Sequence, residues 1–503
     1  MLELGGRLGI VLLTLTACYV LRRYVRISGA RSLPCPPGPP TLPVIGNIMD
    51  MGPPSAWLKF TEYERTYGNL VYFQGLGKSV LVVNSLKAMD ELLEKRAKKY
   101  SDRPVLIFGN LAGFNRIFAM CDYGEEWRAQ RKLAHASLSP AAVKDYAIMQ
   151  EDVAVGLVKD LLKTPEDFHS LIRVAAGRIV ITITYGTRPG SIEDEFVLIA
   201  EEANKIAGRA VIPSVYLCDI LPILKYAPSW VPFQRTAAYS RQVIHNMLNK
   251  PFEHVKEMQA GTAPPSLVQR LLSDPPENIL NLEERVKGTA GTMYAAVAET
   301  TYSAVLTFVL AMALNPDKQR LAQAEIDRVV GMDRLPIIED MPNLPYINAV
   351  IKETMRWNPS LPLGIAHRSS EDDVYEGYFI PKSTIVIPNV WAVAFEPNEK
   401  YEPRAFLPER FLDASWPVVD PSTWAFGFGR RICPGRFLAE NSLFIFIATL
   451  LSAFNISPPE NGEINAHFKG FSTNLLEPFG CRITPRSGTK ANLVEARAAQ
   501  SAT

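Results

Sequence analysis

Apolar residues recur at helical spacing along most of the chain and alternate at strand spacing in only a few short segments. The helical runs predict helices over residues 86–100, 124–136, 141–162, 166–185, 236–259, 316–330 and 346–357. The alternating runs predict a hairpin over 70–73 and 80–83, and further strands over 374–380, 384–390 and near the C-terminus. The pattern therefore predicts a mainly α fold with a small β-sheet region.

Composition narrows the class of protein. A chain of 503 residues can bury a large core, and its composition does not shift between residues 46 and 486, so we expect one large domain over 46–490 followed by a tail over 491–503. The 53 basic and 52 acidic side chains nearly balance, which argues against nucleic-acid binding. Six cysteines without paired spacing indicate a reducing compartment.

The N-terminus carries an uncharged apolar run over residues 8–21, followed by a cluster of arginines. We interpret residues 1–25 as a membrane anchor, and the arginines as the flank that keeps the body on the cytoplasmic side. A basic, proline-rich strap over 26–45 would then set the body against the bilayer. A cleaved signal peptide and a lipoprotein box at residues 15–18 are the alternatives.

One cysteine stands in a setting that favours a thiolate. The sequence FGFGRRICPG occupies residues 426–435 and continues directly into an apolar helical run. This places Cys433 at a helix N-terminus, with Pro434 at the first helical position. Free backbone N–H groups and the helix dipole lower the pKa of a thiol at such a place.

The residues around that cysteine suit a broad, flat ligand. Glycines leave the backbone open so that a flat group can approach the sulfur, and Arg431 can reach its anionic edge. The pattern F-x-x-G-x-R-x-C-x-G, formed by Phe426, Gly429, Arg431, Cys433 and Gly435, resembles the haem-thiolate signature of the cytochrome P450 family. The resemblance implies haem b, with Cys433 as the axial thiolate and the other four residues around the cofactor.

Two upstream segments resemble the family's structural ion-pair network. Glu353 and Arg356 stand at positions i and i+3 of a predicted helix, which by itself is typical of a solvated surface pair. The segment FLPERF, which contains Arg410, resembles the second arginine element of the family. The resemblance implies a buried triad of Glu353, Arg356 and Arg410 that locks the loop carrying Cys433.

Three further residues match the family's propionate-binding positions. Trp127 and Arg131 share a helix face at i and i+4, and WRAQR resembles the W-x-x-x-R pair, although an amphipathic surface helix is the simpler interpretation of these residues alone. His367 occupies the place where the family often presents a histidine. The resemblance implies that all three bind haem propionates, while Arg128 and Lys132 face outward toward an acidic electron donor.

The nearly uncharged segment 289–314 is long enough for a second membrane span, but its many small residues favour a helix packed inside the protein. Within it, AAVAETT at 295–301 resembles the family's proton-delivery motif. The resemblance implies that Thr300 holds dioxygen and water and that Glu299 relays protons. Val297 departs from the usual glycine, which could narrow the groove of this helix.

The resemblance implies a single domain with haem between two central helices. It further implies an enzyme of the endoplasmic reticulum membrane, anchored by a single pass with its catalytic domain in the cytoplasm. Such an enzyme uses O2 and electrons from NADPH-cytochrome P450 reductase to oxidise a lipophilic small molecule.

Substrate identity rests on weaker signals. Segments 105–120, 203–221, 361–365 and 472–476, together with the helix face around 293–297, would contact substrate by resemblance and are mostly apolar. Two segments, EDDVYEGYFIPK and CRITPR, look like fungal members of secondary metabolism, with a terpenoid as the best expectation. The alternatives are a haem-thiolate isomerase or peroxygenase, and a non-enzymatic haem gas sensor. The acid and threonine pair counts against the first of these.

Overall fold

The computed structural model describes residues 33–43, 45–51, 55–187, 190, 194–210, 215–258, 264–276, 279–460, 462–469 and 473–501. The predicted membrane anchor over 1–25 lies outside the described residues, as does the arginine cluster that follows it. The described part of the strap lies against the sheet, where the Pro37 carbonyl accepts a hydrogen bond from the Tyr72 N–H at 2.8 Å. A Cβ at Gly38 would fall 1.9 Å from the Tyr72 carbonyl oxygen, so only glycine allows this close approach.

Helices make up most of the body, in agreement with the predicted class. Those before the central helix are α1 (Ala56–Tyr67), α2 (Leu86–Met89), α3 (Ile107–Leu111), α4 (Glu125–Leu138), α5 (Pro140–Lys144), α6 (Ala147–Lys163), α7 (Phe168–Tyr185), α8 (Glu195–Ala210), α9 (Leu217–Ile220), α10 (Pro232–Glu257) and α11 (Leu267–Ser273). The central helix and those after it are α12 (Leu282–Leu314), α13 (Pro316–Val329), α14 (Pro345–Trp357), α15 (Val390–Ala394), α16 (Arg436–Ala453) and α17 (Gly488–Ser501). A π-helix over Asp90–Lys95 continues α2.

The small sheet region is assembled from distant parts of the chain. Its strands are β1 (Leu70–Gly75), β2 (Lys78–Val83), β3 (His367–Arg368), β4 (Asp373–Tyr375), β5 (Tyr378–Ile380), β6 (Ile385–Pro388), β7 (Phe454–Ser457), β8 (Phe468–Lys469), β9 (Leu475–Leu476) and β10 (Arg482–Pro485). The main sheet has the order β1-β2-β6-β3, with β2 and β6 parallel and the other neighbours antiparallel. In this order β6 lies between the hairpin β1-β2 and the segment with His367 and joins the two into one sheet.

Helices α12 and α16 form the centre of the core. Each is long and apolar enough to cross a membrane, but 72% of the apolar window of each is buried inside the body. Helix α12 packs on α4, α7, α10 and α16, and it carries residues from Val286 to Ala313 into the largest apolar cluster. The segment 289–314 is therefore a core helix, which answers the alternative of a second span.

The central helix begins seven residues before the predicted start at residue 289, at Leu282. Its first turns are charged, so hydrophobicity gives no signal there, but the charged residues Arg285 and Lys287 are nevertheless buried. Arg285 pairs with Glu126 at 2.9 Å, and Lys287 pairs with Glu253 at 3.0 Å. The partners come from α4 and α10, so only the packed structure shows how these charges are accommodated.

The C-terminal residues pack onto the body. Helix α17 lies against α6 and buries Val494, Ala498 and Lys490. The Lys490 ammonium donates to the Gly331 carbonyl at 3.3 Å, and Arg497 pairs with Asp152 at 2.8 Å. The tail expected over 491–503 is therefore, as far as Ser501, part of a packed helix.

Candidate active site

The loop that carries Cys433 is folded back on itself. The Cys433 N–H donates to the Phe426 carbonyl at 2.8 Å, which closes the loop. Gly427 and Gly429 have φ angles of 78° and 55°, in the left-handed region that favours glycine. The sequence of this loop therefore specifies its turn directly.

The cysteine lies slightly farther from its helix than expected. Helix α16 begins at Arg436 with Gly435 as its N-cap, so Pro434 precedes the helix, and the predicted first helical position was wrong by two residues. The Gly435 N–H still hydrogen-bonds the sulfur and, with Arg131, lowers the pKa of the thiol. Burial raises that pKa more strongly. Cys433 is a partly buried thiol that carries backbone and arginine stabilisation for a negative charge.

The sequence predicts that Gly429 lets a flat ligand approach the sulfur, but the structure shows it packed against another part of the protein. A Cβ there would lie 2.3 Å from the Leu93 carbonyl oxygen of the π-helix, and the Gly429 N–H donates to Glu94 at 2.5 Å. The glycine lets the cysteine loop pack against residues 90–95. Gly435, by contrast, lies beside the sulfur, since a Cβ there would be 3.9 Å from Sγ.

Two buried arginines meet near the loop. Arg431 donates to the carbonyls of Ser101 at 2.7 Å and Cys121 at 2.6 Å, and burial lowers its pKa to about 10. Arg103 donates to the carbonyls of Ala119 at 2.9 Å and Ile365 at 2.8 Å. Burial and the charge of Arg431 lower the pKa of Arg103. Sequence analysis missed Arg103, because no local pattern indicates that it is buried.

The remaining propionate candidates surround the same arginines. Arg131 donates to the Ile432 carbonyl at 2.6 Å, and its guanidinium lies 6.0 Å from the centre of the Trp127 ring, which also contacts Arg431 at 4.9 Å. His367 is buried, and its Nδ1 donates to the Tyr100 carbonyl at 2.7 Å. Burial and the charges of Arg103 and Arg431 lower the pKa of His367 to about 3.

The arginines of this group form no ion pair among the residues that the structure describes. Arg103, Arg131 and Arg431 make no salt bridge with any carboxylate in the part of the chain that the structure describes. Buried cations without a partner are costly, so a cluster of them indicates an anionic ligand. We call Arg103, Arg131 and Arg431 the cationic cluster; His367, whose lowered pKa keeps it neutral, lies beside it as a hydrogen-bond donor.

One stretch in the middle of the central helix is accessible, although the helix lies in the core. Its residues 286–294 and 301–313 are buried, but Ala296 is exposed and its neighbours up to Thr300 are partly exposed. Thr300 Oγ1 donates to the Ala296 carbonyl at 3.0 Å, so the hydroxyl lies along this accessible stretch. Val297 is partly buried against the main apolar cluster.

Glu299 points toward helices α7 and α8. Asn204 of α8 donates to its Oε2 over a long 3.5 Å contact. Burial raises the pKa of Glu299, and the positive charge of Arg173 opposes that rise. The adjacent residues Glu299 and Thr300 therefore face different surroundings.

The ion-pair triad has the expected contacts. Glu353 accepts from Arg356 Nε at 2.6 Å and lies 3.2 Å from Arg410 Nε, and all three residues are buried. The arginines also donate to carbonyls of residues 394–405. The hydrogen bonds of the triad thus hold the segment that precedes the cysteine loop, whereas Glu94, Arg131 and Arg431 hold the loop itself.

An iron porphyrin with two propionates fits these surroundings. Cys433 supplies a sulfur ligand in a partly buried position, and the cationic cluster supplies charge for two carboxylates. Residues 295–300 are the one stretch of α12 between residues 285 and 313 that the core leaves accessible. On the outer side of α4, Arg128 and Lys132 are exposed.

Comparison with known proteins gives a consistent result. The sequence model of the family described as Cytochrome P450 matches residues 36–478. The chain is 39% identical to Cytochrome P450 monooxygenase COX1 of Coprinopsis cinerea over 493 residues, which cover 92% of this chain and 94% of that protein. It is 38% identical to Cytochrome P450 monooxygenase claR of Ampulloclitocybe clavipes, over 97% of this chain and 91% of that protein. It is also 38% identical to Cytochrome P450 monooxygenase 226 of Postia placenta, over 95% and 93%.

Proposed function

The chain belongs to the cytochrome P450 family of haem-thiolate monooxygenases, and from this premise we propose that it hydroxylates a lipophilic small molecule in fungal secondary metabolism, with Cys433 as the axial ligand of haem b. The observation that carries the proposal is the partly buried Cys433 thiol beside a cationic cluster without carboxylate partners among the described residues. When bound, haem supplies the activation of O2 that inserts one oxygen atom into a C–H bond.

The residues of the chain position that cofactor and exclude water. Trp127, Arg131, Arg431 and His367 bind the propionates, and we add Arg103 to this set. Phe426 and Gly435 support the loop beside the sulfur. Glu353, Arg356 and Arg410 keep the preceding segment in place, which has a structural rather than a catalytic role.

Two residues of α12 handle protons. Thr300 hydrogen-bonds water and dioxygen at the accessible stretch of the helix, where its hydroxyl already lies. Glu299, whose pKa is raised by burial, stays protonated at higher pH than an ordinary glutamate and can release a proton there. The partly buried Val297 narrows the same groove and so influences which C–H bond of the substrate is presented.

The substrate is lipophilic, and a terpenoid fits best. Segments 105–120 and 361–365 contribute apolar side chains, among them Leu106, Phe114, Leu361 and Leu363. The relatives quoted above come from fungi, which agrees with the resemblance to fungal enzymes of secondary metabolism. The electrons come from NADPH-cytochrome P450 reductase, which docks on the face with Arg128 and Lys132.

We place the enzyme in the endoplasmic reticulum membrane by a single pass over residues 1–25, with the catalytic domain in the cytoplasm. Deleting residues 1–31 should release the protein from the membrane fraction and leave haem incorporation intact. If the shortened protein stays in the membrane fraction, another surface supplies the attachment.

The test of function is product analysis by mass spectrometry. The chain is co-expressed with a reductase and supplied with candidate terpenes, and the expected product carries one added oxygen atom that originates from 18O2. The matched control is the Cys433→Ser variant, which should give no product. A product formed without NADPH would instead support the isomerase or peroxygenase, and no NADPH use with any reductase would support a gas sensor.

A further inference from the structure

A small cavity lies against the face of α12 that carries Glu299, between α7 and α8. Its polar lining combines Arg173 of α7, Glu201 and Asn204 of α8, and Tyr302 of α12. The sequence predicts no role for Arg173, Glu201 or Tyr302, and it places Asn204 only within the segment 203–221 that is expected to contact substrate. Charged groups from two other helices thus converge on the one buried acid that the proposed function uses.

Arg173 and Glu201 form the outer part of this group. Arg173 Nη1 donates to Glu201 Oε1 at 2.9 Å, and their side chains are 29% and 20% exposed, so the pair remains in contact with solvent. On the inner side, the Arg173 guanidinium lies 4.2 Å from the centre of the buried Tyr302 ring. The ring fixes the arginine at the boundary between solvent and core.

Asn204 connects this pair to the acid. Its Nδ2 donates to the Ala295 carbonyl at 3.2 Å and to Glu299 Oε2 at 3.5 Å. Asn204 and Glu201 stand three residues apart on α8, so both face the cavity. The cavity is therefore lined by polar groups from its solvent side to the Glu299 carboxylate.

The groups around Glu299 shift its pKa in opposite directions. Burial raises its pKa, Arg173 and the more distant Lys205 lower it, and Glu201 raises it. The phenol of Tyr294 also lines the cavity but is engaged with the Phe196 carbonyl. Small changes in this group should shift the protonation of Glu299 in a direction that can be predicted.

We propose that Arg173, Glu201 and Asn204 form the inlet through which protons from solvent reach Glu299, and that Arg173 and Glu201 are positioning residues that set its protonation. The proposal rests on the proposed role of Glu299 in proton delivery. In each transfer a cavity water gives a proton to the Glu299 carboxylate and takes one from solvent, so the water is restored and one O–H bond forms for each that breaks. Glu299 then gives its proton to water at Thr300, and the carboxylate returns to its initial state without electron transfer.

The first measurement needs no turnover. Infrared difference spectroscopy of the ferric holoenzyme follows the carboxylic acid band of Glu299 against pH, and the loss of this band in Glu299→Gln identifies it. Arg173→Met should move the midpoint up by about one pH unit, because a neighbouring positive charge is lost. Glu201→Gln should move it down, because a negative charge is lost and Arg173 is freed. Opposite shifts separate this role from a merely structural one.

A conservative variant and a distant control sharpen the result. Arg173→Lys should return the midpoint close to that of the parent, because it keeps the charge. Asp327→Asn removes a comparable partly exposed pair, in which Asp327 accepts from Arg486 at 2.9 Å, and should leave the Glu299 midpoint unchanged. An inlet role is contradicted if Arg173→Met and Glu201→Gln shift the midpoint in the same direction or leave it in place.

Measurements during turnover then distinguish the inlet proposal from the proposed role of Glu299 in proton delivery. Glu201→Gln and Asn204→Leu should raise the solvent deuterium isotope effect on NADPH-dependent product formation at least about twofold, since proton transfer becomes slower. If Glu299→Gln changes neither coupling nor the isotope effect, the role of Glu299 in the proposed function is wrong. If Glu299→Gln uncouples the enzyme but the inlet variants behave like the parent, only the inlet is wrong.

Discussion

The cysteine loop and the segments around α3 and α9 differ in how they are held. Around Cys433, hydrogen bonds fix the backbone from several directions, including those from Cys433 to Phe426 and from Gly429 to Glu94. Around α3 and α9, the main polar link is a single buried carboxylate, Asp219, which accepts from the Phe108 N–H at 2.9 Å. The first region has many redundant contacts, whereas the second depends on few.

This difference suits the two tasks. A ligand for iron needs one fixed geometry, so its loop is over-determined by hydrogen bonds and by glycine conformations. The segments around α3 and α9, which we propose contact a lipophilic substrate, combine apolar packing, such as the stacking of Phe108 on Tyr216 at 3.5 Å, with one polar contact. Asp219 Oδ2 has no hydrogen-bond partner among the described residues, so this contact is only partly satisfied.

The largest effect should come from removing the sulfur. In Cys433→Ser the reduced carbonyl complex should lose its red-shifted Soret band, because a hydroxyl does not provide the thiolate donation that produces it. Absorption spectra of the reduced protein with carbon monoxide measure this. The buried Cys121→Ser variant serves as the control and should keep the band, and a retained band in Cys433→Ser would remove Cys433 as the ligand.

A slightly smaller effect should follow from breaking the triad. Glu353→Gln leaves Arg356 and Arg410 buried without a carboxylate, which costs about 3–5 kcal/mol of folding free energy. We expect a lower yield of haem-loaded protein and a lower Tm, measured by the absorbance ratio of haem to protein and by thermal unfolding. The exposed pair of Lys87 and Glu376 offers a control, since Glu376→Gln should have little effect.

Thr300→Ala should spare the fold and change the chemistry. The hydroxyl bonds only the Ala296 carbonyl of its own helix in the described structure, so its loss should change Tm little. Product formed per NADPH should fall severalfold and hydrogen peroxide should rise, because proton delivery loses its hydroxyl. Thr300→Ser should restore most of the coupling, and equal coupling in Ala and parent enzymes would exclude Thr300 from the mechanism.

The smallest effect concerns the region around α9. Burial raises the pKa of Asp219 from 3.8 to about 6, so the folded state holds this proton more tightly than the unfolded state. The stability that protonated Asp219 contributes is fully present below the pKa of Asp219 in the unfolded chain, and it is lost as pH rises through about 6. Asp219→Asn should therefore become more stable relative to the parent, by up to about 2 kcal/mol, between about pH 4 and pH 7.

Thermal unfolding of both proteins across this pH range measures the difference. Asp413→Asn is the control, because hydrogen bonds from Lys400, Ser415 and Tyr401 lower the pKa of Asp413. The stability that Asp413 contributes is fully present above its unfolded pKa, so the difference between Asp413→Asn and the parent should stay constant from about pH 4 to pH 7 and shrink only in stronger acid. A pH-independent difference between Asp219→Asn and the parent would show that the buried carboxylate is not what limits stability here.

Much of the site could be predicted from sequence because its chemistry lies in short motifs. The residues from Phe426 to Gly435 encode their own turn, and Glu353 and Arg356 are neighbours on one helix. The positions of Pro434 and Gly429 were interpreted less well. The helix start depends on how α16 packs, and the Gly429 contact depends on a carbonyl in a distant π-helix.

The sequence by itself determined the helical class and the family and predicts the sulfur ligand, since local spacing and glycine conformation carry that information. Only the tertiary structure decided which charged side chains are buried without a carboxylate partner, as with Arg103, and which groups surround Glu299. These depend on side chains from helices and strands that are far apart in the chain, and burial changes their energies more than any neighbour in sequence does.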